Sequence, residues 1–457
     1  MQVPTQVFKA YDIRGLVDGE ITPEFAHALG RAFASLLIGE KNTRDLKVVV
    51  GRDMRESSPT LQTELMKGLC RLGITVVDIG LVSTPAFYFG VGDQKADGGI
   101  MISASHNPAA YNGFKMTRHN AIPVGGESGI MDLRQTMEDE SFTSDAEVPG
   151  EVQSSSNIVE DSARAELAFA GSVTLPAYKV VADSGNGMGA QYLDVLFNET
   201  VLQPSRLYWE LDGTFPNHDP DPLKEETLEV LKAKVLSDKA DLGIATDGDG
   251  DRIFFVDNEG EVVPPAILRG LIAKILLRSH AGATMCYDVR PGKITEDMIL
   301  ESGGVPVKTR VGHSLIKEKM REVGSIFGGE SSGHFFFAFP NGVFEGPVAM
   351  AVLLMGEMAK EGKNLADLVR PYKTYFHSGE INFKVPSTKE ALEAVKEKYA
   401  DGDVSELDGI TVTYSDVWFN VRGSNTEPLV RLNLEARTEA VMKEKRDEVA
   451  LLLEGLA

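Results

Sequence analysis

The sequence predicts an α/β protein: three related α/β domains with mixed, mainly parallel sheets, then a C-terminal α+β domain with an antiparallel sheet, around a central cleft. Three observations carry that prediction. Short apolar runs alternate with amphipathic stretches of helical period, the pattern of strand–helix–strand units. Three of those runs pass straight into a glycine-rich polar loop, although no exact repeat is visible. The tail then switches to period-two alternation. At 457 residues the chain exceeds what one core serves, and roughly 150 residues per domain gives about three or four. The expected domains are 1–150, 151–257, 258–370 and 371–457.

Taken in order, Thr22-Pro23-Glu24 reads as an N-cap with proline in the first turn, followed by Phe25, Leu29, Phe33 and Leu36 on one face. Leu46 to Val50 is a short apolar strand. Ser58-Pro59 opens a second helix with Leu61, Leu65, Leu69 and Leu72 in register, closed by Gly73, and Ile74 to Ile79 resumes a strand. Residues 141–161, rich in Ser, Glu and Asp, read as a surface linker or mobile loop. A second unit runs from the strand Lys179 to Ala182, through Gly185-Asn186-Gly187-Met188-Gly189, to the strands Leu242 to Ala245 and Ile253 to Val256. That glycine turn lacks dinucleotide spacing, so it is expected to serve packing. A third unit runs from about Asn258 through a helix, Pro265 to Ser279, to the loop Phe327 to His334. In the tail, strands are expected at Gly379 to Val385, Ile410 to Tyr414, Val417 to Val421 and Leu429 to Leu434, with helices at 388–399 and 437–455.

The formal net charge is −22, which opposes contact with nucleic acid or an anionic membrane. Any anionic substrate must therefore be captured by local cations. Cys70 and Cys286 cannot form a disulfide framework and read as inert thiols. No secretory leader follows Met1, and no apolar run reaches the ~18 residues of a membrane span. The expectation is a cytoplasmic protein, monomeric or weakly dimeric.

Two segments carry most of the chemistry. Gly98 to Ile102 delivers Ser103-Ala104-Ser105-His106-Asn107-Pro108 onto a small-residue turn, with Lys115 ten positions after the serine. Much later, Asp247-Gly248-Asp249-Gly250-Asp251-Arg252 spaces three carboxylates with glycines, so alternate side chains can converge on one cation. Hard oxygen donors of this kind suit Mg²⁺ with room for a phosphate oxygen. A calcium loop fails on spacing, because Arg252 stands where the invariant glycine is needed. A phosphoryl group on Ser105, clamped by Mg²⁺ and by cationic side chains, would meet what phosphoryl transfer demands. Ser105 alone would be an ordinary turn, and it lacks the glycines of a nucleophile elbow.

Three further loops supply recognition chemistry. Arg14 could add a cation, although alone it reads as a surface arginine. Glu330, Ser332 and His334 alternate on a glycine-rich loop, which suits sugar hydroxyls, with His334 a candidate proton shuttle. Arg422-Gly423-Ser424-Asn425-Thr426 offers a guanidinium, hydroxyls and backbone N–H groups for a non-reacting phosphate, with Arg431 assisting. His27, placed on the solvated side of its helix, and His119, His280 and His377 have no ligand-like partners.

Together these segments resemble the α-D-phosphohexomutase family, in its bacterial phosphomannomutase/phosphoglucomutase branch, over nearly the whole length and in order. The resemblance implies a phosphoserine at Ser105 and Mg²⁺ held by Asp247, Asp249, Asp251 and that phosphate. It implies that Tyr11, Arg14, His106 and Lys115 surround the phosphoserine, with Lys115 a candidate beside His334 for proton transfer, and that Glu330 and Ser332 bind sugar hydroxyls. Arg422, Ser424, Asn425 and Thr426 would hold the distal phosphate, and His313, in Thr309 to Ser314, would lie near the sugar or its phosphate. The expected catalytic set is Ser105, His106, Lys115, Arg14, Arg252 and His334. One departure is Asp288-Val289-Arg290, where related mutases commonly carry lysine after Asp-Val. Arginine binds but does not release a proton near neutrality, so either Arg290 only binds or Lys293 reaches in.

The expected reaction interconverts hexose 6- and 1-phosphates of mannose and/or glucose through a hexose 1,6-bisphosphate that also serves as activator. A phosphoglucosamine mutase is the alternative within the family. An aspartyl-phosphate phosphatase with Asp247 as nucleophile would leave Ser105 and the Arg422 segment unexplained. A non-catalytic sugar-phosphate binder stays open at this level.

Overall fold

The computed structural model describes residues 3–171, 174–290, 292–423 and 429–456. Two compact units emerge: Met1–Val263 with Gly333–Ala366, and Pro264–Ser332 with Asp367–Ala457.

The first unit holds two sheets. In one, the strands run Ile13–Leu16, Tyr111–Arg118, Gly98–Ile102, Lys47–Arg52, Thr75–Leu81, Val152–Ser154. Pairing is parallel from Gly98–Ile102 outward to Val152–Ser154, and antiparallel where Tyr111–Arg118 meets Ile13–Leu16, Gly98–Ile102 and the short strand Ile122–Pro123. The helix Pro23–Lys41 starts as read, with Thr22 Oγ1 accepting from Phe25 N. Phe25, Leu29 and Phe33 are buried against Leu61, Leu65 and Leu69 of the helix Ser58–Arg71. The second sheet orders Ile253–Asp257, Leu242–Thr246, Lys179–Asp183 and Gln203–Leu207, antiparallel only at its first pair. The strand Gly98–Ile102 is buried throughout and ends just before the Ser105 turn; Leu242–Thr246 ends likewise at the aspartate loop. Loops at the carboxyl ends of parallel strands are where α/β proteins hold ligands.

The reading of 141–161 as a linker or mobile loop needs correction. Val152–Ser154 is a sheet strand, and the helix Ile158–Ala170 has begun by its end. Asp145 pairs with Arg31 at 3.1 Å and Arg71 at 2.7 Å, and the Arg31 guanidinium lies over the Phe142 ring. The segment is polar because it lies at the surface, yet pairing docks it. His27 is likewise half-buried, 3.8 Å from Glu64, rather than on a solvated face.

In the second unit, Thr284–Asp288 pairs in parallel with Val305–Thr309 and Phe327–Gly329. The tail forms an antiparallel sheet around Leu429–Ala436 and Val417–Gly423, with the helices Thr388–Lys398 and Glu439–Glu454 packed on it. Its core of Val412, Phe419, Val421, Leu432 and Leu434 follows the period-two alternation. Cys70 and Cys286 are free thiols, both pushed up by burial. Among the described residues no helix is long and apolar enough to cross a membrane.

Candidate active site

The serine turn and the aspartate loop meet in the first unit. Ser105 is 1% exposed, and its Oγ lies 3.1 Å from Asp247 Oδ2 and 3.1 Å from His106 Nδ1. Its φ of +53° is a left-handed conformation that a non-glycine residue adopts only when its surroundings impose it. Glycine spacing in the aspartate loop has a steric cause. A Cβ on Gly248 would sit 2.6 Å from the Ser105 carbonyl oxygen, and Gly250 has φ +73° with Gly189 N 3.1 Å from its would-be Cβ. Met188 N donates to Gly248 O at 2.9 Å, so the glycine turn at 185–189 backs this loop as a packing turn.

Asp247, Asp249 and Asp251 are all buried, each with a carboxylate oxygen within 4.8 Å of the others'. Burial, then the charges of Asp251 and Asp249, hold the Asp247 carboxyl well above its ordinary range. Asp251 goes the other way: burial opposes its charge, but Lys115 and His334 outweigh it and hold the carboxyl well below the ordinary range. Asp249 Oδ1 is buried and meets no hydrogen-bond partner among the described residues. An unpartnered carboxylate oxygen beside two others fits a hard divalent cation, so this triad could bind a metal.

Cations border the triad. Lys115 Nζ lies 2.7 Å from Asp249 and 2.5 Å from Asp251. Burial opposes the ammonium, yet those two carboxylates keep its pKa well above the usual lysine range. Arg252 donates its N–H to Asp247 Oδ1 at 3.1 Å, and its guanidinium stands 3.7 Å from Oδ2. His334 Nε2 lies 3.1 Å from Asp251 Oδ1. Arg14 is no loose surface group: it is fixed by Asp12 at 2.7 Å and Asn107 Oδ1 at 2.9 Å. Burial, followed by Arg252 and Arg14, pushes the His106 imidazole well below its ordinary pKa, so it is neutral and able to accept a proton. Tyr11 is half-buried at the start of this segment.

The second unit carries a different set. Arg290 grips Asp288 at 2.5 Å, donates to Ser332 Oγ at 3.4 Å and lies 3.8 Å from Glu330. Asp288 also binds the buried Arg269 at 2.6 Å. Glu330 Oε1 accepts from Gly312 N at 2.7 Å, just before the helix His313–Val323 that begins with the half-buried His313. Lys293 pairs with Glu296 and Asp297 on its own helix. Arg422 and Arg431 are directly opposed across two antiparallel strands. Like charges so placed repel, and Glu380 lies between them, at 3.1 Å from Arg422 and 3.3 Å from Arg431. Ser424, Asn425 and Thr426 lie outside the described residues.

Four successive segments match family models described as phosphoglucomutase/phosphomannomutase, alpha/beta/alpha domains I, II and III and C-terminal domain, at 5–144, 137–260, 265–375 and 380–452. A phosphomannomutase of Methanocaldococcus jannaschii is 38% identical over 451 residues, 98% of either chain. The chain belongs to the phosphoglucomutase/phosphomannomutase family. A solved phosphoglucomutase/phosphomannomutase family protein from Burkholderia thailandensis superimposes with TM-score 0.89 at 31% identity, covering 100% of this chain and 98% of that one. The N-acetylphosphoglucosamine mutase of Aspergillus fumigatus, solved with GlcNAc-6P and magnesium, shares the fold at 13% identity and TM-score 0.63, covering 100% of this chain and 97% of that one. The architecture is the family's four-domain one, and the protein is a hexose-phosphate mutase, an isomerase that moves a phosphoryl group.

Sequence reasoning missed several supports of the family site. Thr84 donates its hydroxyl to Asp249 Oδ2 at 2.6 Å and its N–H to Asp249 O at 3.0 Å. Arg55 and Asp53 lie beneath the Ser105 turn, and Glu380 lies between two arginines. None carries a local signature: Thr84 looks like an ordinary residue of a helix start, and Glu380 is one acidic residue among many.

Proposed function

We propose that this mutase interconverts the 6- and 1-phosphates of mannose and/or glucose through a phosphoserine at Ser105 and a hexose 1,6-bisphosphate intermediate. The observation that carries the reading is the Ser105 hydroxyl 3.1 Å from Asp247, within the buried aspartate triad that Lys115 borders. Asp247, Asp249 and Asp251, with the Ser105 phosphate, are the residues that would hold Mg²⁺. Bound there, the ion neutralises charge on the transferring group.

In the first transfer the Ser105 Oγ–P bond breaks as the P–O bond to the free sugar hydroxyl forms. His334 takes the hydroxyl proton, and Ser105 Oγ takes up one proton from solvent as the phosphoryl group leaves it. In the return transfer Ser105 Oγ attacks the intermediate's other phosphorus as that P–O bond to the sugar breaks. Neutral His106 accepts the serine proton at Nδ1 and later releases it to solvent, and His334 gives its proton to the departing sugar oxygen. Lys115, held charged by Asp249 and Asp251, serves as a cation beside the phosphoryl group, with Arg14, Arg252 and Tyr11 around it. Arg290 binds only, because Asp288 and Glu330 hold it charged against the opposing effect of burial. Glu330 and Ser332 take sugar hydroxyls, His313 lies near the sugar or its phosphate, and Arg422, Ser424, Asn425, Thr426 and Arg431 take the non-reacting phosphate. In this reading the domains run 1–150, 151–257, 258–370 and 371–457, and the matched segments 5–144, 137–260, 265–375 and 380–452 support four successive domains. A cytoplasmic monomer or weak homodimer, without nucleic-acid or membrane partners, fits the net charge of −22.

The test is a coupled assay with catalytic glucose 1,6-bisphosphate, alongside mass spectrometry of the protein. Acid-stable phosphate is expected on Ser105, and Ser105→Ala is expected to lose turnover. Near-native turnover of Ser105→Ala, or an acid-labile acyl phosphate on Asp247, would overturn the mechanism. Mannose, glucose and glucosamine 1-phosphates compared in the same assay fix the sugar preference.

A further inference from the structure

Besides Ser103 and Arg14, the Ser105 turn is braced by Arg55. Arg55 follows the strand Lys47–Arg52 and is 1% exposed. Its Nη2 donates to Ser105 O at 2.9 Å and Asn107 O at 2.6 Å, and its Nη1 to Pro108 O at 2.8 Å and Tyr111 O at 2.9 Å. Nε donates to Asp53 Oδ2 at 3.1 Å. A guanidinium has five N–H donors, and these five bonds use them all. Four of the acceptors are main-chain carbonyls of residues 105–111, the stretch that contains the reacting serine.

The support is itself supported. Asp53 accepts from Ser58 Oγ at 2.6 Å and from Arg55 N at 3.1 Å, and Asn112 Nδ2 donates to Ser57 and Ser58. The Phe215 ring lies 5.1 Å from the guanidinium carbon, and a Cβ on Gly213 would fall 2.5 Å from Arg55 Cα. Such a cluster exceeds what closing an ordinary turn requires. It does suit a turn that must keep Ser105 at φ +53°, with its Oγ aimed at Asp247.

We propose that Arg55 is a positioning residue for phosphoryl transfer, its planar five-donor fork fixing the Ser105 turn so that Oγ stays in line with the aspartate triad. The inference rests on Ser105 being the phosphoryl carrier. Lysine keeps the charge and an aliphatic stem but has three donors on one nitrogen, so it cannot span four carbonyls. Misplacement of a reacting atom by about 1 Å costs on the order of a hundredfold in rate.

The experiment measures single-turnover phosphorylation of dephosphorylated full-length enzyme by glucose 1,6-bisphosphate, with steady-state kinetics and thermal melting as companions. Arg55→Lys is expected to phosphorylate Ser105 about a hundredfold more slowly, with KM for hexose phosphate changed less than about threefold. Arg55→Ala is expected to regain rate with added guanidinium ion but not with ammonium. Asp53→Asn, which keeps the shape around Arg55, is expected to slow the same step about tenfold and covers the case in which the Arg55 variants do not fold. Native phosphorylation rates in folded Arg55→Lys or Asp53→Asn would overturn the proposal, as would failure of guanidinium to rescue folded Arg55→Ala. A wild-type enzyme that takes no phosphate on Ser105 would instead refute the carrier reading itself.

Discussion

In the first unit three aspartates crowd a buried pocket and repel one another, with Lys115 as their nearest neutralising partner. In the second, Arg422 and Arg431 oppose each other across two strands and share Glu380 as their counter-ion. Acid is in excess in the first cluster and base in the second. Their surroundings differ accordingly. The aspartates are fixed by a main-chain N–H (Arg252 on Asp247), by the Thr84 hydroxyl on Asp249, and by close packing, with Gly248 where a Cβ would strike the Ser105 carbonyl. Glu380, by contrast, lies at an exposed position and holds its arginines through side-chain contacts alone. The contrast fits the proposed roles: a centre that performs chemistry needs fixed geometry, whereas one that would grip and release a phosphate needs a counter-ion that can be displaced.

The largest test of that contrast is Asp249→Asn. It leaves the side-chain shape but removes half of the charge pair with Lys115 and one acceptor for a cation. We expect kcat to fall on the order of 10²–10³-fold, with the binding of inorganic phosphate unchanged. Isothermal titration with Mg²⁺ should show weakened binding in the same variant. A variant with native kcat and native Mg²⁺ affinity would erase the distinction between the two clusters.

A smaller effect should come from Glu380→Gln. On the proposed role of Arg422 and Arg431, the carboxylate would compete with an incoming phosphate, so its neutralisation should tighten inorganic phosphate binding by roughly three- to tenfold, read by calorimetry. The rate of Ser105 phosphorylation should not change. Weaker phosphate binding would mean that Glu380 organises the arginines instead of occupying their anion site.

The smallest effect concerns a buried carboxylate of the first unit that lies outside the aspartate triad. Glu166 accepts from Val348 N at 2.8 Å and Ala349 N at 3.0 Å, at the start of the helix Pro347–Glu361. Burial nonetheless raises its pKa to about 8. The folded protein therefore holds this proton more tightly than the unfolded chain. Its stabilising contribution is complete below the unfolded value and is lost as pH rises through the folded one. Glu166→Gln, which keeps an acceptor for the helix N–H groups, should melt with the wild type near pH 4 and a few degrees above it near pH 9. Equal melting temperatures near pH 9 would show that the helix N–H bonds suffice to hold the anion.

Much of the fold was legible because its signals are local. Thr22-Pro23, Ser58-Pro59 and the alternation of 410–434 each fix an element through capping, φ restriction or side-chain period. The segment 141–161 was misread for the same reason, since polar composition reports exposure and not whether Val152–Ser154 completes a sheet. Among the site residues, the three aspartates were legible through their glycine spacing and Ser105 through its small-residue turn. Arg55, Thr84 and Glu380 were not, because their partners lie 50, 165 and 42 residues away in sequence.

The chain by itself thus determined which atoms are available: a hydroxyl and three carboxylates on small-residue and glycine-spaced turns, and an ammonium and two guanidinium groups on strands. Tertiary structure alone decided how those atoms act on one another. Packing at the ends of strands in two mixed sheets brings Asp247 to the Ser105 hydroxyl, Asp249 and Asp251 hold Lys115 charged against its burial, and burial leaves His106 neutral. Charge states of this kind depend on solvent exclusion and on neighbours remote in sequence, and no local pattern encodes either.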